Sequence, residues 1–300
     1  MVWGADKFVD NSSLIAKKFG FSELTIGLTI IALGTSAPEI FVGISSVFNG
    51  TEALAMGTVI GSNISNIALI FGVSCIGVSM RPAKTNLVQF IPFAIAAIIL
   101  GLVLLDLKIT VIEGWVLLTI FALFIFITYQ YRGYEVDDQI EESATGTITI
   151  LLYLTVVLLA LIGGSHFAVI HAEKIAYILN VPQLIIGLTI IALGTSLPEL
   201  AATISAIMKN KNDMVIGNVI GSNVMNIALV LPIIGFFSNT SFDSTLLSRD
   251  YFVMLIATIL FVLLAATYSS NKINLKFIRF VGCIFVAGYI GYILNLSNLI

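Results

Sequence analysis

The run GLTIIALGTS occurs twice, at 27–36 and at 187–196, and each copy leads into a proline and a glutamate: APE at 37–39, LPE at 197–199. A second shared run follows each of them, GTVIGSNISNIAL at 57–69 and GNVIGSNVMNIAL at 217–229. Both pairs lie 160 positions apart, as Gly34 and Gly194 do, so the two runs belong to one repeated unit. Whatever the first half builds, the second half builds again. Glu39 and Glu199 then occupy equivalent places.

The medium follows from composition. Of 300 residues, 58% are hydrophobic and only 10% are charged, with a mean hydropathy of +1.07. Soluble domains carry about a quarter charged residues. Apolar runs of about 20 residues recur, long enough to cross a bilayer as helices. Lipid offers no partner for an open backbone, so spans are helices or closed barrels. Barrel strands alternate apolar and polar residues, and these runs do not. The fold class is therefore an all-α membrane protein of about ten transmembrane helices. Predicted spans are 24–48, 55–79, 88–105, 110–131, 147–178, 184–208, 214–237, 251–268 and 277–296, with a short segment at 1–18. Met1 aligns with Leu161, whose helix is predicted to start near Thr147, so the first helix reads as shortened at its N-terminus. MVWGADKFVD has no apolar core, and no cleavable signal is expected there.

Five spans per repeat is an odd number, which turns the second copy upside down relative to the first. Loop charges test this, because Lys and Arg concentrate on the cytoplasmic side. Lys17 and Lys18 align with Tyr177 and Ile178, and Lys209 and Lys211 with Asn49 and Thr51. The apolar bodies agree while the loop charges trade places. With both termini outside, ten of the 14 basic residues fall inside and four outside. The halves are 1–131 and 147–300, joined by a cytoplasmic acidic linker at 132–146 that reads as solvated chain. Inverted repeats with a midplane site characterise secondary transporters. The expected location is a cell (inner or plasma) membrane.

Ionisable residues inside a span cost roughly 3 kcal/mol at its centre and mark function by default. Among 17 acids, only Glu39 and Glu199 lie well inside long apolar runs. Brought together they would repel, and a bound cation removes that penalty. Thr35 and Ser36 precede Glu39 by four and three residues and share its helix face; Thr195, Ser196 and Glu199 repeat this. Pro38 and Pro198 disturb the carbonyls four residues earlier, Gly34 and Gly194, and the carbonyls of Ala32 and Ala192 lie near the kink. Ser62 and Asn66, like Ser222 and Asn226, stand four apart on the next helix. Every one of these groups offers oxygen, and none is His, Cys or Met. Such a set suits a hard cation such as Ca2+, or several Na+, better than zinc or copper.

Plainer readings apply elsewhere. Gly57 and Gly61, like Gly217 and Gly221, have the GxxxG spacing of closely packed helices. Cys75 and Cys283 read as small buried hydrophobes. Asp6 and Asp10 read as interfacial, and His166 and His171 as lining or packing residues. Trp3 and Trp115 read as interfacial anchors. No basic cluster points to nucleic acid.

GTSAPE at 34–39 and GTSLPE at 194–199, each followed by GSNxxN at 61–66 and 221–226, resemble the two alpha-repeats of the sodium/calcium exchanger family, within the Ca2+/cation antiporter superfamily. The likeness is to the short prokaryotic members. The resemblance implies ten helices, exchange of Ca2+ for Na+ by alternating access, and helices 1 and 6 sliding across the other eight. It implies Glu39 and Glu199 as central ligands, with Thr35 and Thr195 serving the Ca2+ and Na+ sites. Ser36, Ser196, Ser62 and Ser222, with the carbonyls of Ala32 and Ala192, would line flanking Na+ sites, and Asn66 and Asn226 would complete the centre. Some relatives carry an aspartate at the second of those asparagines; this chain does not. Ca2+ and Na+ are then substrates, with no cofactor, and a monomer suffices. A Ca2+/H+ antiporter using the same carboxylates is the alternative. An intramembrane hydrolase would need a catalytic pair that no span holds, and a passive pore fits two converging half-sites less well.

Overall fold

The computed structural model describes residues 2–77, 87–133, 146–181, 183–238, 240–268 and 274–296. Every regular element among them is a helix. In chain order these are α1 (Val2–Phe19), α2 (Glu23–Thr35), α3 (Ala37–Phe48), α4 (Glu52–Gly77), α5 (Leu87–Asp106), α6 (Val111–Gln130), α7 (Thr147–Ile178), α8 (Leu188–Thr195, led into by a helical turn at Gln183–Ile186), α9 (Leu197–Met208), α10 (Asn212–Phe237), α11 (Leu246–Thr267) and α12 (Leu275–Leu296). Seven described helices are long and apolar enough to cross a membrane, or nine when each bent pair, α2 with α3 and α8 with α9, counts as one span. α1, which carries Asp6, Lys7, Asp10, Lys17 and Lys18, is not among them.

Within the described residues, each predicted span lies on a helix. The largest difference is at 251, where α11 begins five residues earlier at Leu246. Arg249 and Asp250 obscured that first turn. Asp250 is fully buried, paired to Arg249 at 2.8 Å and bonded by the Tyr292 hydroxyl at 2.9 Å. The charge is neutralised locally, so the helix continues through it. The 132–146 linker and the basic residues Arg81 and Lys84 lie outside the described residues, apart from 132, 133 and 146.

The helices bend where the repeated proline predicts. Pro38 and Pro198 sit in the first turn of α3 and α9, where a missing N–H costs nothing. Ser36 and Ser196 leave the helical region at φ −81°, ψ 3° and φ −79°, ψ 4°. The axes turn by 42° and 46°. A second local feature has no counterpart in pattern reasoning. π-helical turns occur at Gly27–Ile31 and Gly187–Ile191, and at Ser65–Phe71 and Asn226–Val230, in matching places of the two runs. Such turns cluster at functional sites.

Burial separates core helices from outer ones. The most apolar windows of α4 and α10 are 83% buried, against 28%, 22% and 28% for α6, α7 and α12. Exposed side chains such as Phe126, Leu152 and Phe280 leave an apolar surface suited to lipid. The GLTIIALGTS run of each repeat lies on the GSN helix of the other. Glycine allows the approach. A Cβ at Gly61 would stand 2.5 Å from the Leu188 carbonyl oxygen, and one at Gly221 2.6 Å from that of Leu28. In lipid, close backbone approach of this kind supplies packing that the hydrophobic effect cannot.

Candidate cation site

The two helix breaks meet in the core. Glu39 and Glu199 are 0% and 1% exposed, each in the first turn of the half-helix that follows its break. A helix N-terminus presents unpaired N–H groups and favours negative charge. That is why the proline matters: it makes a helix start inside the protein and puts the carboxylate beside it.

The contacts cross between repeats. Ser36 donates to Glu199 Oε1 at 3.1 Å, and Ser196 to Glu39 Oε1 at 3.4 Å. Ser62 donates to Glu39 Oε1 at 3.3 Å and Ser222 to Glu199 Oε1 at 3.4 Å. Ser62 Oγ also sits 3.3 Å from the Ala192 carbonyl oxygen and 3.4 Å from Thr195 Oγ1. Thr35 and Thr195 are buried, with hydroxyls 3.5 Å and 3.3 Å from the carbonyl oxygens of Ala32 and Ala192. Those two carbonyls also accept the Ser36 and Ser196 backbone N–H, at 2.9 and 3.1 Å. Asn66 and Asn226 are buried in the same core. Direct contacts thus join the two glutamates to Ser36, Ser62, Ser196 and Ser222, and Ser62 to Thr195 and the Ala192 carbonyl, while Asn226 bonds to Asn63 at 3.2 Å and the Asn66 side chain has no hydrogen-bond partner.

One oxygen of each carboxylate is held by hydroxyls. The other, Oε2 of Glu39 and Oε2 of Glu199, is buried without a hydrogen-bond partner, as are both ends of Asn66 and Oδ1 of Asn226. Leaving such polar atoms unmatched costs several kcal/mol in total. Among the described residues neither glutamate forms an ion pair with Lys or Arg, and no three His, Cys, Asp or Glu side chains cluster. The arrangement offers two carboxylates and several neutral oxygens, the donor set of a hard cation.

Five polar residues at the site escaped pattern reasoning. Asn63 and Asn223 are fully enclosed beside Ser62 and Ser222; their repetition at the same offset was the available signal. Ser65 donates to Ser196 at 3.3 Å. Thr35 donates to Asn218 Oδ1 at 3.3 Å, and Asn218 Nδ2 to Thr203 at 3.3 Å. Ser65, Asn218 and Thr203 align with Met225, Thr58 and Gly43, so repetition gave no hint of them.

Away from the core, Asp6 and Asp10 ligate nothing central. Both pair with Lys209 at 2.6 Å, and Ser205 donates to Asp6 at 3.3 Å. Lys211 pairs with Glu23 at 3.3 Å. His166 and His171 are exposed, as are Trp3 and Trp115. Cys75 is buried as expected, but Cys283 is exposed, because it lies on the outward face of α12.

The sequence profile described as sodium/calcium exchanger protein matches residues 1–130 and 149–297. The putative antiporter CaxA of Alkalimonas amylolytica is 36% identical over 97% of this chain and 93% of its own length. The sodium/calcium exchanger MaX1 of Methanosarcina acetivorans is 27% identical over 79% of this chain and 80% of its own. A structure of the sodium-calcium exchanger NCX_Mj, soaked with Na+ and Sr2+, superposes with a TM-score of 0.80 at 30% identity, covering 96% of this chain and 92% of that one. With a profile spanning nearly the whole chain and a like-sized relative above 30% identity, this protein belongs to the sodium/calcium exchanger family of membrane antiporters.

Proposed function

We propose that the protein exchanges Ca2+ for Na+ by alternating access at the Glu39–Glu199 site. The halves are 1–131 and 147–300, five helices each, inverted about the membrane plane and joined by a cytoplasmic linker at 132–146, with both termini outside. Ligands are Glu39 and Glu199, the hydroxyls of Thr35, Thr195, Ser36, Ser196, Ser62 and Ser222, the amide oxygens of Asn66 and Asn226, and the carbonyls of Ala32 and Ala192.

The observation that carries this reading is the exchange of partners: each GTSxPE break gives its serine to the other's glutamate, and both glutamates keep one oxygen free. Neither half has a complete cage alone. One Ca2+ neutralises both carboxylates, and Na+ ions spread over the flanking hydroxyls neutralise them equally. That equivalence lets the two loads compete for one site.

A difference between the halves supports a one-sided opening. Ser205 on α9 is buried against Asp6 of α1, and Lys209 ties α9 to α1. Their equivalents, Ser45 on α3 and Asn49 just past its end, are exposed. The proposed cytoplasmic side is the closed one.

The test is 45Ca2+ uptake into proteoliposomes holding the purified chain, with Na+, K+ and H+ gradients imposed separately. Uptake driven by outward Na+ is expected. Uptake that follows only pH would establish the proton antiporter instead, and flux without any counter-ion a channel.

A further inference from the structure

We infer that Asn63 is a positioning residue for the cation site: it turns the Asn226 amide so that its oxygen, and not its NH2, faces the ion. The inference rests on the antiport reading and deepens it. Asn63 is 1% exposed. Its Oδ1 accepts from Asn226 Nδ2 at 3.2 Å, and its own Nδ2 donates to the Met254 sulfur at 3.6 Å.

Only partners distinguish the two ends of an amide, and here Met254 decides. A thioether sulfur accepts and cannot donate, so the Asn63 NH2 faces it and the Asn63 oxygen faces Asn226. Asn226 must then answer with its NH2. Its Oδ1 is left buried with no partner. Turning Asn63 around would set oxygen against sulfur and NH2 against NH2, and turning Asn226 alone would set oxygen against oxygen. The chain Met254–Asn63–Asn226 therefore has one self-consistent direction.

The repeat contains its own control. Asn223, Asn66 and Ala94 stand 160 positions from Asn63, Asn226 and Met254. Alanine offers no side-chain acceptor. Asn223 Nδ2 turns instead to the Val219 carbonyl, one helical turn back, at 2.7 Å. Neither end of Asn66 then has a partner. One of the two central asparagines is oriented, and the other is not. Orientation matters more at 226 than it would for an acid: a carboxylate presents oxygen whichever way it turns, whereas an inward NH2 would repel the cation.

A double-mutant cycle tests this, using the purified full chain and CaCl2 as the probe. The readout is the CaCl2 concentration needed for a fixed rise in melting midpoint above each variant's ion-free value, which scales with Kd. Asn63→Leu is expected to raise it about tenfold, the size of one lost orienting hydrogen bond. In an Asn226→Asp background the same change should cost less than about threefold. Equal losses in both backgrounds would make Asn63 a plain structural residue, and no loss in either would remove it from the site; both overturn the inference. Should the leucine variant not fold, Met254→Leu keeps the volume, removes the acceptor, and is scored the same way. A wild-type chain that Ca2+ does not stabilise sinks the inference and the antiport reading together. Ca2+ stabilisation without Na+-driven 45Ca2+ uptake sinks only the antiport reading.

Discussion

The Ser36 hydroxyl lies 3.1 Å from Glu199 Oε1, across 163 residues of chain. Its counterpart Ser196 reaches back to Glu39. Each break in a helix therefore supplies a hydrogen bond to the glutamate of the other.

Replacing a buried carboxylate by its amide separates charge from shape. Glu39→Gln and Glu199→Gln should each abolish Na+-driven 45Ca2+ uptake. In ion-free buffer the melting midpoint should hold or rise, because an uncompensated buried charge is costly. The Ca2+-dependent rise in that midpoint should vanish, since ligand stabilisation follows binding. A variant that still melts higher with added Ca2+ would exclude its glutamate from the site.

Reciprocity predicts equal losses. Ser36→Ala and Ser196→Ala should each weaken Ca2+ binding by about 1 kcal/mol, roughly fivefold. Isothermal titration of the two variants checks this. A large loss at one position with none at the other would contradict a site shared equally by both halves.

Glycine at 61 is a steric requirement. Gly61→Val pushes atoms into the Leu188 carbonyl and the Ala192 Cβ, the latter 2.7 Å from a built Cβ. Overpacking of this kind costs about 1–3 kcal/mol. Thermal denaturation in detergent should show a clear drop, while Gly77→Ala, with open space around it, should show none.

The α1–α9 bridge should act as a lock on one side. Burial pulls the Lys209 ammonium down, but hydrogen bonds to Asp10 and Asp6 outweigh it and hold the group above the ordinary lysine value of 10.5. A raised lysine contributes fully below 10.5 and loses that contribution only as pH climbs through the folded value. The lock should therefore be insensitive to pH near neutrality. Lys209→Met keeps the stem packed and removes the charge. In a chain with Cys283 replaced by serine, a cysteine introduced at Ser205 should react slowly with a membrane-impermeant thiol reagent from the cytoplasmic side, and faster once Lys209 is methionine. A cysteine at Ser45 should react from outside. Labelling of both from one side would refute the inverted topology.

Some of this was readable in the chain and some was not, for definite reasons. The spans were legible because lipid demands long apolar runs. The break at Ser36 was legible because Pro38 cannot sit in a helix interior. Glu39 and Glu199 stood out because acids inside apolar runs are rare. Asn218, Thr203 and Ser65 did not stand out, because they depart from the repeat and ordinary packing uses the same residue types. The early start of α11 at Leu246 was hidden because Arg249 and Asp250 look like a loop until their pairing is seen.

By itself the sequence determined what each half is made of: its helices, its broken span, the glutamate that follows the break and the oxygens beside it. These depend on local sterics and on the cost of polar groups in lipid, which neighbours in the chain already express. Only the tertiary structure decided which half supplies which partner, that Asn63 and not Asn223 grips its neighbour, and that one side is bridged by Lys209. Those outcomes depend on distances between residues some 160 to 200 positions apart, and no local pattern encodes such a distance.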